Sequence, residues 1–273
     1  MMARLGCGVR IGGVEVAPEI AVAAEDLLLH VRWMSGLRRE RLGGVHLCLM
    51  PGDDPRLAKV MKVRVRSGEV DRVVAAVRAK LRAEGRTTST WWLGPSTTPP
   101  DLAQRLIGHG LVPIDPTTAM VATAAPVAAV NGVEVRPVRT RNDADAAAAI
   151  VAAAFEMNTA TTRALAAAIR EEIDPPIPDS ITSFLAVIDG VPVGTAASVY
   201  LDGCVGLIGG ATVPSARGRG VYRSLVQARW DDAVARHRPV LVTQAVNATS
   251  RPILEHNGFT PLFPITVLLD EHP

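Results

Sequence analysis

The stretch Val213-Pro214-Ser215-Ala216-Arg217-Gly218-Arg219-Gly220-Val221-Tyr222-Arg223 decides how this chain is read. Before it, residues 206–213 form an apolar, strand-like run; after it, residues 221–236 have the composition of a helix. A glycine-rich turn between a strand and a helix start points backbone N–H groups outward at the positive end of the helix dipole, an arrangement that binds phosphate. Glycine lets the backbone approach the anion with no Cβ in the way. Arg217, Arg219 and Arg223 add charge-assisted donors. The segment therefore predicts a ligand that carries a pyrophosphate.

Two common phosphate loops do not fit. No Gly-Lys-Ser/Thr follows these glycines, and Gly218-Arg219-Gly220 lacks the third glycine of G-x-G-x-x-G. Working downstream, residues 239–244 (Pro-Val-Leu-Val-Thr-Gln) read as a short buried strand. Then comes Asn247-Ala248-Thr249-Ser250-Arg251-Pro252-Ile253-Leu254-Glu255-His256-Asn257-Gly258-Phe259. The first stretch resembles the acetyl-CoA loop of the GNAT family of N-acetyltransferases, Gln/Arg-x-x-Gly-x-Gly/Ala. Arg217, Gly220 and Tyr222 stand at its three key positions, and Val213-Pro214 precede them. The second resembles that family's Asn-x-x-Ala/Ser-x-x-Leu-Tyr-x-x-x-Gly-Phe signature. The two occur in order, with a helix and a strand of suitable length between them.

The resemblance implies an α/β (α+β) fold with a mixed, mostly antiparallel sheet flanked by helices. It also implies direct acyl transfer from acetyl-CoA to a primary amine of a small molecule, with no covalent enzyme intermediate and no metal. The pantetheine arm would lie where the fourth and fifth strands splay, between 209–213 and 242–245. Backbone at Ala211, Thr212 and Val213 would meet that arm or polarise the thioester carbonyl. Amides of Arg217, Gly218, Arg219, Gly220, Val221 and Tyr222 would hold the pyrophosphate. Asn247 would touch the cofactor arm or a water, with Ser250 nearby. Two further readings stand beside this one: an acyl-CoA-binding regulatory or sensor module with little catalysis, and a protein or peptide N-acetyltransferase.

The chain departs from the family at three places. Tyr222 replaces the usual small residue. The fourth strand (206–211) has no ionisable residue to serve as a base, which leaves Glu156, after the first helix, as the candidate, with Asn247 in a supporting role. Leu254 occupies the position of the tyrosine that protonates the leaving thiolate, and the only tyrosines are Tyr200 and Tyr222.

Around these motifs the second half reads as strand 133–138, helices 143–156 and about 161–173, a proline loop at 175–178, and strands 184–188, 193–200 and 205–213. Helix 221–236, strand 240–244, helix 250–256 and strand 262–269 follow. The first half resembles a weaker copy. Strand 91–93, helix 102–108 and strand 118–123 repeat the closing pattern about 148 residues earlier. Upstream, 62–65 reads as a strand and 70–84 as an amphipathic helix, joined by Arg66-Ser67-Gly68-Glu69, which has an acid where phosphate would sit. The expectation is two GNAT-like halves: a degenerate one at 1–128 without the acetyl-CoA loop, and an acetyltransferase domain at 133–273.

Composition sets the outer bounds. The 273 residues are 48% hydrophobic and 21% charged, with net charge +2. The arginines are scattered, which gives no reason to expect nucleic-acid or membrane-surface partners. No apolar run reaches the ~20 residues of a membrane span, and no signal-peptide pattern opens the chain. Cys7, Cys48 and Cys204 are far apart and odd in number, consistent with reduced thiols in a cytoplasmic protein. His109 and His256 sit at equivalent helix ends, and Trp91, Trp92 and Trp230 read as core. Monomer and homodimer are both compatible with the sequence.

Overall fold

The computed structural model describes residues 9–11, 14–52 and 54–272; Cys7 lies outside them. The first half runs β1 (Val9–Ile11), β2 (Val14–Val16), α1 (Pro18–Glu25), α2 (Leu27–His30), β3 (Arg38–Leu42), β4 (Val45–Leu49), β5 (Ala58–Met61), α3 (Val70–Ala83), β6 (Thr88–Leu93), α4 (Leu102–Gly108) and β7 (Val112–Ala122). The second half runs β8 (Glu134–Pro137), α5 (Arg141–Phe155), α6 (Thr159–Glu171), β9 (Ile181–Ile188), β10 (Val191–Tyr200), β11 (Val205–Thr212), α7 (Val221–Ala235), β12 (Leu241–Val246), α8 (Ser250–His256) and β13 (Thr260–Glu271).

The two halves share one 11-stranded sheet, in the order β3-β4-β5-β6-β13-β7-β12-β11-β10-β9-β8. Similar pairings recur in it. Each half has one parallel pair: β5 with β6 (Lys59 opposite Thr90) and β11 with β12 (Val205 opposite Leu241). Each half then has a seven-residue helix, α4 or α8, and a long closing strand. The closing strands are exchanged. β7, from the first half, lies against β12 of the second, and β13 lies against β6 of the first. The two also pair with each other at the centre of the sheet. Neither half completes its own sheet, because an edge strand needs a partner for its backbone N–H and C=O groups.

Local sequence explains most elements. α3 buries Val70, Val73, Val74, Val77 and Leu81, a stripe at helical spacing, against Val45, Leu47, Val60 and Trp91. α5 begins two residues earlier than its acidic turn suggests. Thr140 accepts from the Asp143 N–H at 3.1 Å, and Asp143 reaches back to the Thr140 N–H at 3.2 Å, a reciprocal cap. Asn158 caps α6 in place of Thr161 or Thr162. The Asp189-Gly190 turn between β9 and β10 has φ values of 52° and 78°, as a two-residue hairpin requires.

One local expectation changes, and α1, α2, β3 and β4 fall where the sequence marked no element. The strand placed at 62–65 ends at Met61, because Lys62 takes a left-handed φ of 49°; only a single bridge from Arg64 to Thr98 follows. The β3–β4 hairpin turns on Gly43 and Gly44 and carries charges along β3, so its sequence lacks the alternation of a half-buried strand. α1 and α2 are short, and they bury Ile20, Ala24, Leu27 and Leu28 in a core drawn from both halves.

Candidate active site

The glycine-rich stretch lies between β11 and α7, as its composition dictates. A 3-10 turn (Pro214–Ala216) follows β11, and Gly218 and Gly220 both have φ of 77°. Gly220 is the residue at the helix entrance, with no side-chain cap on α7. Among the described residues, the N–H groups of Gly218, Gly220, Val221, Tyr222 and Arg223 have no acceptor. Arg217, Arg219 and Arg223 have no carboxylate partner there either, although arginines elsewhere are paired repeatedly. Gly220 is required twice over: a Cβ there would need the left-handed region and would sit 2.2 Å from Val130 Cγ2. Val130 is held there by its N–H donating to Ser224 Oγ at 3.2 Å.

Next to this loop the sheet opens. β11 and β12 pair only at Val205–Leu241 and Gly206–Val242. Thr243 Oγ1 donates to the Leu207 carbonyl at 3.0 Å at the vertex, and beyond it the strands part. On its other side β11 has a register shift against β10, between Ala211 and Ile208, with Gly209 at φ 62°. Gly210 allows the Tyr222 ring to lie against the strand, since a Cβ at 210 would sit 2.7 Å from Tyr222 Cε2. The bulky Tyr222 is thus accommodated by the bare strand across from it.

The cleft leads into a cavity of about 570 Å³ lined by both halves. Gly209, Gly210, Tyr222, Gln244, Ser250 and Leu254 line it from the motif-bearing half. Met50, Lys59, Thr90, Trp92 and Asp115 line it from the other half. Gln244 Nε2 donates to the carbonyls of Ala24 and Glu25 at 3.1 and 2.8 Å, which ties the end of α1 to β12 beside the cleft. A groove of about 610 Å³ between the end of α6 and β9 is separate from the glycine loop and shares only Ile169, Glu172, Ile181 and Ser183 with the cavity.

Not every expected residue meets the site. The N–H of Val213 donates to the Val193 carbonyl at 2.9 Å, so that amide is not free for a thioester arm. Ala211 is buried in the strand. Asn247 lies at the end of β12, where its Oδ1 accepts from Thr118 Oγ1 at 2.7 Å and its N–H donates to the Pro116 carbonyl; it pins β12 to β7 and does not line the cavity. Glu156 is exposed, holds the left-handed C-terminal position of α5, and also lies outside the cavity. Leu254 lines the cavity and is buried. Tyr200 is a core residue, its hydroxyl donating to Asp232 Oδ2 at 2.6 Å, and burial pushes its ionisation upward. That leaves Tyr222 as the one tyrosine lining the cavity.

The structure adds charged groups that no motif marks. Glu172, just past α6, lines the cavity. Burial pushes its carboxyl up to about 8, a backbone N–H at Ser35 pulls the other way, and the neighbouring Glu171 adds to the rise. Lys59, on β5, is half-buried at the cavity wall, and burial pushes its ammonium down to about 8. Its Nζ lies 4.0 Å from the centre of the Trp92 ring. Trp91 is core, but Trp92 faces the cavity, as period-2 alternation requires of adjacent strand residues. Arg229 is fully buried beneath the cleft; its Nε donates to the Leu225 carbonyl at 3.0 Å.

Cys48 and Cys204 are buried thiols, pushed up to about 11 and about 12 by burial, hence poor nucleophiles. His109 bonds Asp71 at 2.9 Å at the end of α4. Among the described residues no group of three or more His, Cys, Asp or Glu is placed to hold a metal ion. None of the described helices is long and apolar enough to cross a membrane.

Comparison with known proteins follows this geometry. Residues 151–259 match the sequence model of the acetyltransferase (GNAT) family. No curated protein matches the chain. Among solved structures, a GCN5-related N-acetyltransferase from Kribbella flavida superposes with a TM-score of 0.69 at 21% identity, over 92% of this chain and 95% of that one. A functionally unknown conserved protein from Staphylococcus epidermidis gives 0.66 at 11% identity, over 89% and 96%. A tandem GNAT protein from the clavulanic acid biosynthesis pathway gives 0.59 at 17%, over 88% and 84%. At these identities the likeness is one of fold. Residues 151–259, which span the glycine loop, the splayed strands and the Asn-Gly-Phe turn, are thus similar in sequence to the acetyltransferase (GNAT) family, and the fold of the whole chain is similar to that of its solved members.

Proposed function

We propose that the chain transfers an acyl group from acetyl-CoA to the primary amine of a small molecule. The observation that carries this is continuity: the loop with free amides and unpaired arginines opens, through the β11–β12 cleft, into a cavity walled by both halves. The residues fit acetyl-CoA. The amides of Gly218, Gly220, Val221, Tyr222 and Arg223, with Arg217 and Arg219, would hold its pyrophosphate, and the edges of β11 and β12 would hold its arm. Of the expected set, Ser250 lines the cavity, Thr212 pairs with Gly194 of β10, and Asn247 acts on β12 from outside. The halves are taken as 1–128 and 133–273, the first without a phosphate loop.

Acetyl-CoA supplies the thioester, whose C–S bond breaks as the C–N bond to the amine forms. Holding both reactants in one enclosed cavity makes the encounter effectively unimolecular. The amine must lose a proton, and an unperturbed alkyl ammonium has a pKa of about 10.4. Glu172, lining the cavity with a carboxyl near 8, takes that proton better than exposed Glu156. A proton must also reach the departing sulfur, and Tyr222, which lines the cavity, would give it where Leu254 cannot. The enclosing first half favours a small acceptor over a protein chain. The sensor alternative draws its support from Leu254.

The test is the thermal midpoint with and without acetyl-CoA, beside Arg217→Ala. A ligand at 100 times its dissociation constant stabilises by about 2.7 kcal/mol. A rise in the wild type that shrinks in the variant supports the donor site; release of free thiol with an added amine then separates enzyme from sensor. No rise in either protein overturns the proposal.

A further inference from the structure

Among the described residues Lys59 is a cation without an anion. It lines the cavity from β5 of the half that carries no phosphate loop. Among the described residues no carboxylate and no carbonyl lies within bonding reach of its Nζ; its one contact is the Trp92 face at 4.0 Å. The indole is itself fixed, because Trp92 Nε1 donates to Thr90 Oγ1 at 3.0 Å and Thr90 is the parallel-strand partner of Lys59. The charged groups acting on Lys59 are Cys48, whose thiol stays protonated, and the cation Arg56. The two acids that line the cavity, Asp115 and Glu172, form no ion pair with it. Arg56 is satisfied by Asp54, with Nε–Oδ1 at 2.8 Å, and by the Phe155 carbonyl at 2.9 Å. An ammonium removed from water without a counter-ion is costly, and an anion that arrives at the cavity wall relieves that cost.

Deepening the acyl-transfer proposal on which it rests, we propose that Lys59, braced on Trp92, is the subsite for a carboxylate on the acceptor, so that the substrate is an amine that also carries a carboxylate. The division of charge within the cavity fits such a molecule: Glu172 faces the amine, and Lys59 faces the acid. A single ammonium on an aromatic face suits a monoanion. A phosphate dianion would draw on several donors at once, as at the glycine loop. The lowered ammonium supports the assignment, since binding a carboxylate restores the charge that burial removes. Lys59 is here a substrate-binding residue contributed by the first half, which gives that half a role in choosing the acceptor.

The experiment measures binding of matched pairs, an α-amino acid and its amide on the same skeleton, to the full chain saturated with CoA. It is repeated on Lys59→Met, which keeps the stem over Trp92, and Lys59→Arg, which keeps the charge. The acid of at least one pair binds tenfold or more tighter than its amide in the wild type. That ratio falls to about one in Lys59→Met and recovers in part in Lys59→Arg, while acetyl-CoA binding is unchanged in both. Equal binding of acid and amide across the panel, including no binding of either, overturns the inference. So does a preference that survives Lys59→Met, or acetylation of Lys59 itself, read as a peptide mass after incubation with acetyl-CoA. Loss of acetyl-CoA binding in the wild type sinks the acyl-transfer proposal instead, and the pair ratio can still be read on the CoA-free protein.

Discussion

Replacing Glu172 by glutamine probes the proton path directly. The side chain keeps its shape and a hydrogen-bonding carbonyl but cannot accept a proton. With the carboxyl near 8, about a tenth of it is ionised at pH 7 and about nine-tenths at pH 9. The acyl-transfer rate at saturating acetyl-CoA therefore rises about tenfold between these values. Glu172→Gln lowers that rate by about 10²–10⁴. Its remaining activity climbs only as the free amine itself deprotonates, toward about pH 10. The stability effect has a definite sign. The folded-state value is raised above the ordinary carboxyl value of 4.5, so the neutral form's contribution is full below pH 4.5 and is lost as pH rises through 8. At 1.36 kcal/mol per unit this is a few kcal/mol at most. The wild-type thermal midpoint consequently falls between pH 5 and pH 9 relative to the variant. The assays are free-thiol release with pH and calorimetry at both ends of that range. A variant with the wild-type pH profile and rate would refute the role given to Glu172, and an unchanged acetyl-CoA shift in the variant shows that the fold survives.

Three further outcomes are expected. Gly220→Ala forces a Cβ into the left-handed region and to 2.2 Å from Val130, so the acetyl-CoA-induced rise in midpoint is lost; Val130→Gly in the same chain relieves the contact but leaves a backbone cost of about 1–2 kcal/mol. Tyr222→Phe retains the packing against Gly210 and lowers the transfer rate without changing acetyl-CoA affinity, as separate rate and binding titrations will show. Asp143→Ala removes the acceptor of the Arg136 guanidinium and half of the Thr140 cap, costing about 1 kcal/mol by denaturant melts. Arg136 holds the Asp143 carboxyl well below the usual range, so this contribution is full above pH 3.8 and fades as pH falls below it.

Much of the motif-bearing half is legible in its residues. A glycine turn between an apolar strand and a helix start has few structural solutions, and positive φ at Gly218 and Gly220 is the local consequence. The Asp189-Gly190 hairpin, the stripe of α3 and the 148-residue echo between α4 and α8 follow from turn chemistry and periodicity. At two places where expectation and structure part, a long-range partner is the cause. The Val213 amide is taken by Val193 across the sheet, and Asn247 is drawn to Thr118 on a strand from the other half. Glu156 ends outside the cavity because the left-handed turn after α5 carries it to the surface.

By itself the sequence determined the glycine turn between β11 and α7 and the order of the elements from β8 to β13, because these depend on φ preferences and on the spacing of apolar residues along one strand or helix. Only the tertiary structure decided that β7 and β13 are exchanged, that Lys59 and Trp92 face the same cavity as Glu172, and that Tyr222 fits against Gly210. Strand pairing joins residues more than a hundred positions apart, as Asn247 and Thr118 show, and no local preference encodes which sheet edge a closing strand will meet.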